Sequence, residues 1–461
     1  MTQERIDRET TVAETGLTAG LARLAAQPPA VPPGHPALAA ATRAFIDTVG
    51  VTLAGWREPS VALLVDSLAT GRDATALLGG RQFSARDAAL LNGMVGHVLD
   101  YDDVAVHGHP SVVLVPAILA EAQKLGRSGG DALRAYVVGY EAWAELGWRE
   151  SGSYHLGAWH PTAMLGTVAA TVAVAALNRL DAETATNAIA MAASFAGGLI
   201  ANFGSPTKPL QAGRAAASAI EAAQLARTGL TGSPTALESP HGFLRAISPD
   251  GAVDTDGPLR LAARADDLRL LHEGLSVKRY PVCYASHRAI DGVIDLASQA
   301  QLRPADVVRV TASLGRAPAA TLRFDRPATG IEARFSLHHN VAAALTDRAV
   351  GFAQLSDDYV RRPEIAALYT LTETELVDDE CPEQPGLARF DRVVIETRDG
   401  GRLDSGPIRY PRGHARLPLS DADLDAKFLD CARHGGLAEA AGLLERLRGL
   451  ETLADLSELC A

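Results

Sequence analysis

The sequence predicts a mainly α protein, a large all-helical domain with a smaller α+β domain inserted in it. Three observations carry this. The chain is 47% hydrophobic but only 5% aromatic, so Ala and Leu, both strong helix formers, dominate its apolar content. Apolar residues recur at spacings of three and four from Leu38 to about residue 265, the signature of amphipathic helix. Past 268 the texture turns to β-branched alternation, and beyond about 405 helical periodicity returns. A length of 461 residues exceeds one ordinary core and suggests two or three domains. The helical domain is therefore placed at 1–268, completed by 406–461, and the α+β domain at 269–405.

In chain order, AQPPAVPPGHP (26–36) is a proline-rich loop and LAAATRAFIDTVGVTLAG opens the helical run. The segments RDAALLNGMVGHVLD, HPSVVLVPAILAEAQKLG, GGDALRAYVVGYEAWAELG, HPTAMLGTVAATVAVAALNRL, DAETATNAIAMAASFAGG and AGRAAASAIEAAQLARTGL read as helices, several closed by Gly. Small residues on every face mark helices packed closely inside a large core. ADVVRVTASLG (305–315) alternates as a strand, ARFSLHHNVAAALTD is helical, and RFDRVVIETRDGGRLDSGPIRY (389–410) reads as strand, DGG turn, strand. DADLDAKFLDCARHGGLAEAAGLLERLRGLE returns to amphipathic helix.

Composition excludes several classes. A net charge of −12 repels phosphate backbones, which argues against a nucleic-acid partner. Cys283, Cys381, Cys431 and Cys460 form no CxxC pair, so neither a zinc site, an iron–sulfur cluster nor a disulfide framework is expected. The N-terminal MTQERIDRETTVAETG has no apolar core of a secretory signal, and the smooth apolar run MLGTVAATVAVAAL (164–177) is too short to cross a bilayer. A cytoplasmic protein with no membrane partner is the expectation.

Titratable groups gather in HVLDYDDVAVHGHPS (97–111), where Asp100, Asp102 and Asp103 stand among His97, His107 and His109. Histidine titrates near neutrality and a neighbouring carboxylate tunes it, so acid–base chemistry is the functional reading. An aspartate capping a helix, with the others solvated, is the plain alternative; a cation held by Asp102, His107 and His109 is another. In GAWHPTAMLG (157–166), His160 precedes a helix start where Thr162 and nearby N–H groups suit a carboxylate; a simple capping role competes. In GSPTKPLQAGRAAA (204–217), Lys208 lies in a Gly/Pro/Ser loop before a helix of small residues. A lysine there needs an anion, and a substrate carboxylate is favoured over an internal one. In VKRYPVCYASHRAIDGV (277–293), Lys278 and Arg279 suit a cationic mouth for a polycarboxylate. Cys283 lacks the context of a nucleophile, and His338 and His339 are read as surface residues.

Taken together and in this order, NGMVGHVLDYDDVAVHGHPS, WHPTAMLG, SPTKPLQAGRAA, KRYPVCYASH and IEARFSLHHNVA resemble the MmgE/PrpD family, whose members include 2-methylcitrate dehydratase, cis-aconitate decarboxylase and iminodisuccinate epimerase. The resemblance implies a helical domain with an α+β lid, a homodimer, a site in the cleft between domains, and neither metal nor organic cofactor. Carried over by motif, Asp100, His109, His160, Lys208 and His287 are the implied catalytic positions, with Lys278, Arg279, Tyr280, Val104, Thr162 and Gln211 in the implied substrate pocket. Two departures stand out: Val104 replaces a Thr after the double Asp, with one residue fewer before His109, and Gln211 replaces a His found in many relatives. A lost hydroxyl and a lost imidazole both alter a polar pocket.

The family's reactions share the movement of a proton at a carbon beside a carboxylate, with extra negative charge to stabilise. The expected activity is a cofactor-independent lyase, dehydratase or decarboxylase, acting on a small di- or tricarboxylate. The alternatives are an epimerase using two bases on an imino- or amino-polycarboxylate, a non-catalytic binding protein that keeps the pocket, and a metal-dependent hydrolase.

Overall fold

A computed structural model describes residues 15–152, 154–381 and 384–460. The polar N-terminal stretch MTQERIDRETTVAETG lies outside them, save Thr15 and Gly16. The chain forms two compact units, Met1–Leu275 with Ser420–Ala461, and Ser276–Leu419.

The first unit is built from α1 (Leu17–Ala26), α2 (Pro36–Gly55), α3 (Pro59–Ser67), α4 (Ala85–His97), α5 (Ser111–Leu125), α6 (Gly129–Gly147), α7 (Pro161–Leu177), α8 (Ala182–Phe195) and α9 (Thr207–Arg227). A small antiparallel pair, β1 (Ala74–Thr75) and β2 (Gln82–Phe83), leads into α4. α7 is apolar all round and buried along nearly its whole length, as a central core helix must be. α2 is the one described helix long and apolar enough to cross a membrane, and 78% of its most apolar window is buried within the protein.

Close approach of α4 and α9 brings two chemistry-bearing helix ends together. A Cβ on Gly213 of α9 would stand 2.1 Å from the Leu90 carbonyl oxygen of α4, and one on Gly93 would stand 2.8 Å from Gly213 Cα. Two glycines facing one another let the backbones of α4 and α9 nearly touch. The helices run antiparallel at this crossing, so the C-terminal end of α4, at His97, lies toward the N-terminal end of α9, at Lys208.

The second unit pairs α10 (His287–Gln299) and α11 (Leu337–Asp347) with a four-stranded sheet of β3 (Val307–Gly315), β4 (Thr372–Val377), β7 (Arg392–Thr397) and β8 (Arg402–Asp404), in the order β4-β3-β7-β8. β3 is parallel to β4 and antiparallel to β7, and β7 and β8 form the hairpin expected from the DGG turn. β5 (Glu380–Cys381) and β6 (Gln384–Ala388) make a separate short pair. Ile290 and Val293 of α10, Val341 of α11, and Val310, Val393 and Ile395 of the sheet share one core. The chain then returns to the first unit as α12 (Asp421–Gly435) and α13 (Ala440–Arg448).

Two local expectations are corrected. Lys208 lies in the first turn of α9, not in the preceding loop, because the helix starts at Thr207. His339 is fully buried rather than at the surface, with its ring nitrogens 3.0 Å from the Tyr369 hydroxyl and 2.8 Å from the Gln354 carbonyl oxygen. No disulfide joins Cys283, Cys381, Cys431 or Cys460 among the described residues.

Candidate active site

Four helix ends of the first unit supply the side chains. His97 closes α4, His109 lies two residues before α5, His160 is the N-cap of α7, and Lys208 lies in the first turn of α9. Three of the four are helix N-termini, whose free N–H groups and dipoles favour negative charge nearby. Pro161 starts α7 with its fixed φ and missing N–H, which suits a first helical position.

The loop between α4 and α5 is unusual. Asp100, Val106 and His107 all have positive φ, at 52°, 40° and 71°, a left-handed conformation that side chains with a Cβ rarely adopt. The Trp143 indole N–H holds the turn by donating to the Ala105 and Val106 carbonyls, each at 3.1 Å. The backbone N–H of His109 donates to Thr162 Oγ1 at 3.3 Å. Thr162 therefore helps to hold the loop that carries His109, while its hydroxyl hydrogen can still donate. Val104 is half-buried on the same loop.

Asp102 is the centre of the arrangement. It is fully buried, and its Oδ2 lies 3.0 Å from His97 Nδ1 and 3.0 Å from His109 Nδ1. The contact with His97 is a good hydrogen bond; that with His109 is close but not aligned for one. Burial works against charge on Asp102, but His97 and then His109 outweigh it and hold the carboxyl well below its usual range. Burial pushes His97 in the opposite sense, lowering its pKa to about 4. The pair thus stands as a neutral imidazole donating Nδ1–H to an ionised carboxylate. His97 Nε2 meets no hydrogen-bond partner among the described residues.

Asp100 forms the other edge. Its Oδ1 lies 2.5 Å from Lys208 Nζ and 3.9 Å from His109 Nε2. Among the described residues the anion that Lys208 meets is an internal carboxylate, that of Asp100. Lys208 Nζ also stands 5.3 Å from the centre of the Phe203 ring, a cation–π distance. His109 lies between the two carboxylates, with 15% of its side chain exposed, so it is the histidine of the trio that still reaches solvent.

His160 stacks on His97, with ring centres 5.6 Å apart and planes 18° apart. Its Nδ1 lies 2.8 Å from Gln211 Oε1, and Gln211 Nε2 donates to the Leu199 carbonyl at 3.1 Å. A carbonyl oxygen only accepts, so the amide nitrogen must face Leu199 and the amide oxygen must face His160. His160 is then protonated at Nδ1, and its Nε2 carries the lone pair. Burial first, then His97 and Lys208, lowers its pKa to about 2, so the ring is neutral and Nε2 is a hydrogen-bond acceptor.

Asp103 plays a different part. It accepts hydrogen bonds from the hydroxyl and N–H of Ser111, whose hydroxyl lies 2.6 Å from the Tyr136 hydroxyl. Burial, then the charge of Asp47, holds its carboxyl well above the usual range. Asp103 thus holds the first N–H of α5 from the preceding loop, although the N-cap residue itself is Pro110, which supplies no side-chain cap. His107 turns away from the carboxylates toward Tyr154, at a ring distance of 5.5 Å. Among the described residues, the group with metal-ligand character is His97, Asp102 and His109, not the Asp102–His107–His109 set considered from sequence.

The remaining candidates belong to the second unit. Lys278 is buried and Arg279 is half-buried, its guanidinium 5.9 Å from the centre of the Tyr280 ring. Tyr280 donates to Asp291 at 2.6 Å. His287 is fully buried between Tyr280 and Tyr284, with Nε2 3.3 Å from the Val282 carbonyl oxygen. A cleft in this unit is lined by Asp291, Asp295, Asp404 and Arg412, but its charges satisfy one another: Arg412 pairs with Asp291 and Asp295, and Asp404 with Arg392.

Carboxylates, histidines and a lysine thus gather at helix ends of a mainly α chain, a set of groups able to take up and release protons. Comparison with known proteins supplies the family. The MmgE/PrpD N-terminal domain matches residues 19–256 and the MmgE/PrpD C-terminal domain residues 280–446. The chain belongs to the MmgE/PrpD family. Its relatives include cis-aconitate decarboxylase of Homo sapiens, 29% identical over 81% of this chain and 78% of that protein. That of Mus musculus is 28% identical over 74% and 70%, and that of Aspergillus terreus 24% identical over 82% and 81%. Family and relatives support a lyase, of the decarboxylase or dehydratase kind.

Proposed function

We propose that this protein is a cofactor-independent lyase for a small di- or tricarboxylate, with cis-aconitate as the first substrate to test. The observation that carries the reading is the buried Asp102 carboxylate bridging His97 and His109, with Lys208 and Asp100 beside them. Such a site can hold an anion and move a proton at the carbon next to it.

In a decarboxylation, the carbon–carbon bond to one carboxylate breaks and CO₂ leaves. The electron pair stays on the carbon skeleton, which must then take a proton. His109 delivers that proton and Asp102 sets its ring orientation. Lys208 shares its charge between Asp100 and a substrate carboxylate, stabilising negative charge as it develops. In a dehydration the same groups act in another order: the bound substrate carboxylate raises the basicity of His160, whose Nε2 removes the proton beside the carboxylate, and His109 protonates the departing hydroxyl, which leaves as water. The family resemblance also suggests a homodimer, and the scattered cysteines suit a reducing cytoplasm; light scattering and fractionation test the two.

Proton NMR of the purified protein with citrate, 2-methylcitrate, cis-aconitate and aspartate-derived iminodiacids tests the reading. New or lost vinyl signals, with or without CO₂, support a lyase and name the leaving group. Deuterium entering an α-carbon with loss of configuration and no alkene would replace it with the epimerase. A folded protein that consumes none of them contradicts the substrate class.

A further inference from the structure

Lys427 lies on α12, more than 300 residues after the loop that bears the candidate catalytic carboxylates, yet it reaches that loop. Its side chain is almost fully buried. Nζ lies 2.5 Å from Asp47 Oδ1 on α2 and donates to the Tyr101 carbonyl oxygen at 2.9 Å. It also stands 3.9 Å from the centre of the Tyr101 ring. One ammonium group thus grips both the peptide and the ring of a single residue.

Tyr101 is the residue between Asp100 and Asp102. Asp100 has a left-handed φ of 52° and directs its carboxylate to Lys208. Asp102 directs its carboxylate to His97 and His109. The Tyr101 carbonyl belongs to the peptide that joins Tyr101 to Asp102, one residue beyond Asp100, so holding that peptide constrains the backbone from which both carboxylates project. A loop with several left-handed residues has little regular hydrogen bonding to hold it, and Lys427 provides a bond of that kind.

The cost of the arrangement sharpens the inference. Burying an ammonium and a carboxylate removes both from water, and an ion pair so buried rarely stabilises a fold better than apolar packing. Asp47 neutralises Lys427, but neutralisation alone does not explain why a polar pair stands where apolar side chains would pack. The bond to the Tyr101 carbonyl does. The backbone is built for the approach: a Cβ on Gly435 of α12 would stand 2.2 Å from the Leu53 carbonyl oxygen of α2, so only glycine lets these helices lie so close.

We propose that Lys427, neutralised by Asp47, is a positioning residue of the active site, holding the Tyr101 peptide so that Asp100 meets Lys208 and Asp102 meets His97 and His109. The proposal rests on reading that cluster as the active site, and its test is chosen to stand without a known substrate. The full-length protein is prepared with ¹³C- and ¹⁵N-labelled histidine, and His97, His109 and His160 are assigned from His→Gln variants. Two double variants are compared. Asp47→Asn with Lys427→Gln keeps a neutral donor for the carbonyl; Asp47→Asn with Lys427→Met removes it. Both keep the pair uncharged and similar in size, so a difference between them isolates the carbonyl bond.

The expected result is that the Met variant melts cooperatively, yet the His97 and His109 ring signals leave their wild-type positions, and the Gln variant moves them back. With a substrate in hand, kcat falls about tenfold or more in the Met variant while KM stays within about threefold. Histidine signals identical to wild type in a folded Met variant would overturn the proposal. Should that variant not fold, Lys427→Arg decides: its larger fork displaces the Tyr101 peptide, so shifted His97 and His109 signals support the proposal and unshifted ones overturn it. Absence of turnover by the wild type bears on the proposed function alone, because the ring signals are read without substrate.

Discussion

Nδ1 of His160 donates to Oε1 of Gln211 at 2.8 Å, and the Gln211 amide nitrogen donates in turn to the Leu199 carbonyl oxygen. The two bonds fix each other's direction and leave His160 Nε2 as the acceptor. Gln211→Leu removes the tautomer lock and is expected to lower kcat by about 10- to 100-fold, with melting little changed. Gln211→Glu keeps an acceptor but adds a negative charge, which raises the His160 pKa. The acid limb of its pH–rate profile is expected to move to higher pH. An unchanged profile in Gln211→Glu would show that His160 does not act as the base.

The Asp102 carboxylate serves two histidines at once. Asp102→Asn presents an amide to both rings, and one of its faces must turn a donor toward an Nδ1–H. The expected loss in kcat is about 10²- to 10⁴-fold, read from initial rates, with circular dichroism showing an intact helical fold. Asp103→Asn touches the Ser111–Tyr136 side of the loop instead, and its effect is expected mainly in melting temperature. Equal kinetic losses in the two variants would contradict the division of labour.

Acid stability depends on the buried imidazoles. His97 has a pKa lowered to about 4 by burial, against an unfolded value near 6.5. Between these values the unfolded chain binds a proton that the folded chain refuses, so stability falls as pH drops from about 6.5 toward 4. His97 alone accounts for roughly 3 kcal/mol over that range, and His160, lowered to about 2, acts in the same direction. Asp102, held below its usual range, contributes stability above its unfolded pKa that is lost only at still lower pH. Chemical denaturation at pH 7, 6, 5 and 4.5 checks this, and equal stability at pH 7 and 4.5 is the result that contradicts it.

Much of this architecture is legible in the sequence. Helix periodicity, the Gly closures and the DGG hairpin come from local chemistry, and local chemistry is what a single chain displays. β4 is not legible: TETELV is exposed along most of one edge, so it lacks the buried alternation of β3. His97 stands among the titratable residues of the loop, but only the folded course of that loop shows that it faces Asp102. A hint is present in its position five residues before Asp102 on a helix about to end. Asp47 and Lys427 give no local signal, since each sits singly in an ordinary amphipathic helix and their partnership is made by packing. Lys208 is legible as a lysine needing an anion, but the identity of the anion requires the fold.

His97, Asp102 and His109 have the composition of a cation site, so metal dependence is open to direct test. The proposed chemistry uses their protons, and activity is expected to survive dialysis against a chelator, with metal well below one equivalent per chain by elemental analysis. Loss of activity on chelation and its return with one divalent ion would turn the site into a metal centre.

The most direct test of the central claim follows carboxyl-labelled ¹³C cis-aconitate in D₂O with wild type and His109→Ala side by side. The account expects the wild type to release labelled CO₂ and place one deuterium on the product carbon, and the variant to bind the substrate but turn it over at least about 100-fold more slowly. Full activity in His109→Ala, or a wild type that leaves cis-aconitate and the related polycarboxylates unchanged, would contradict it.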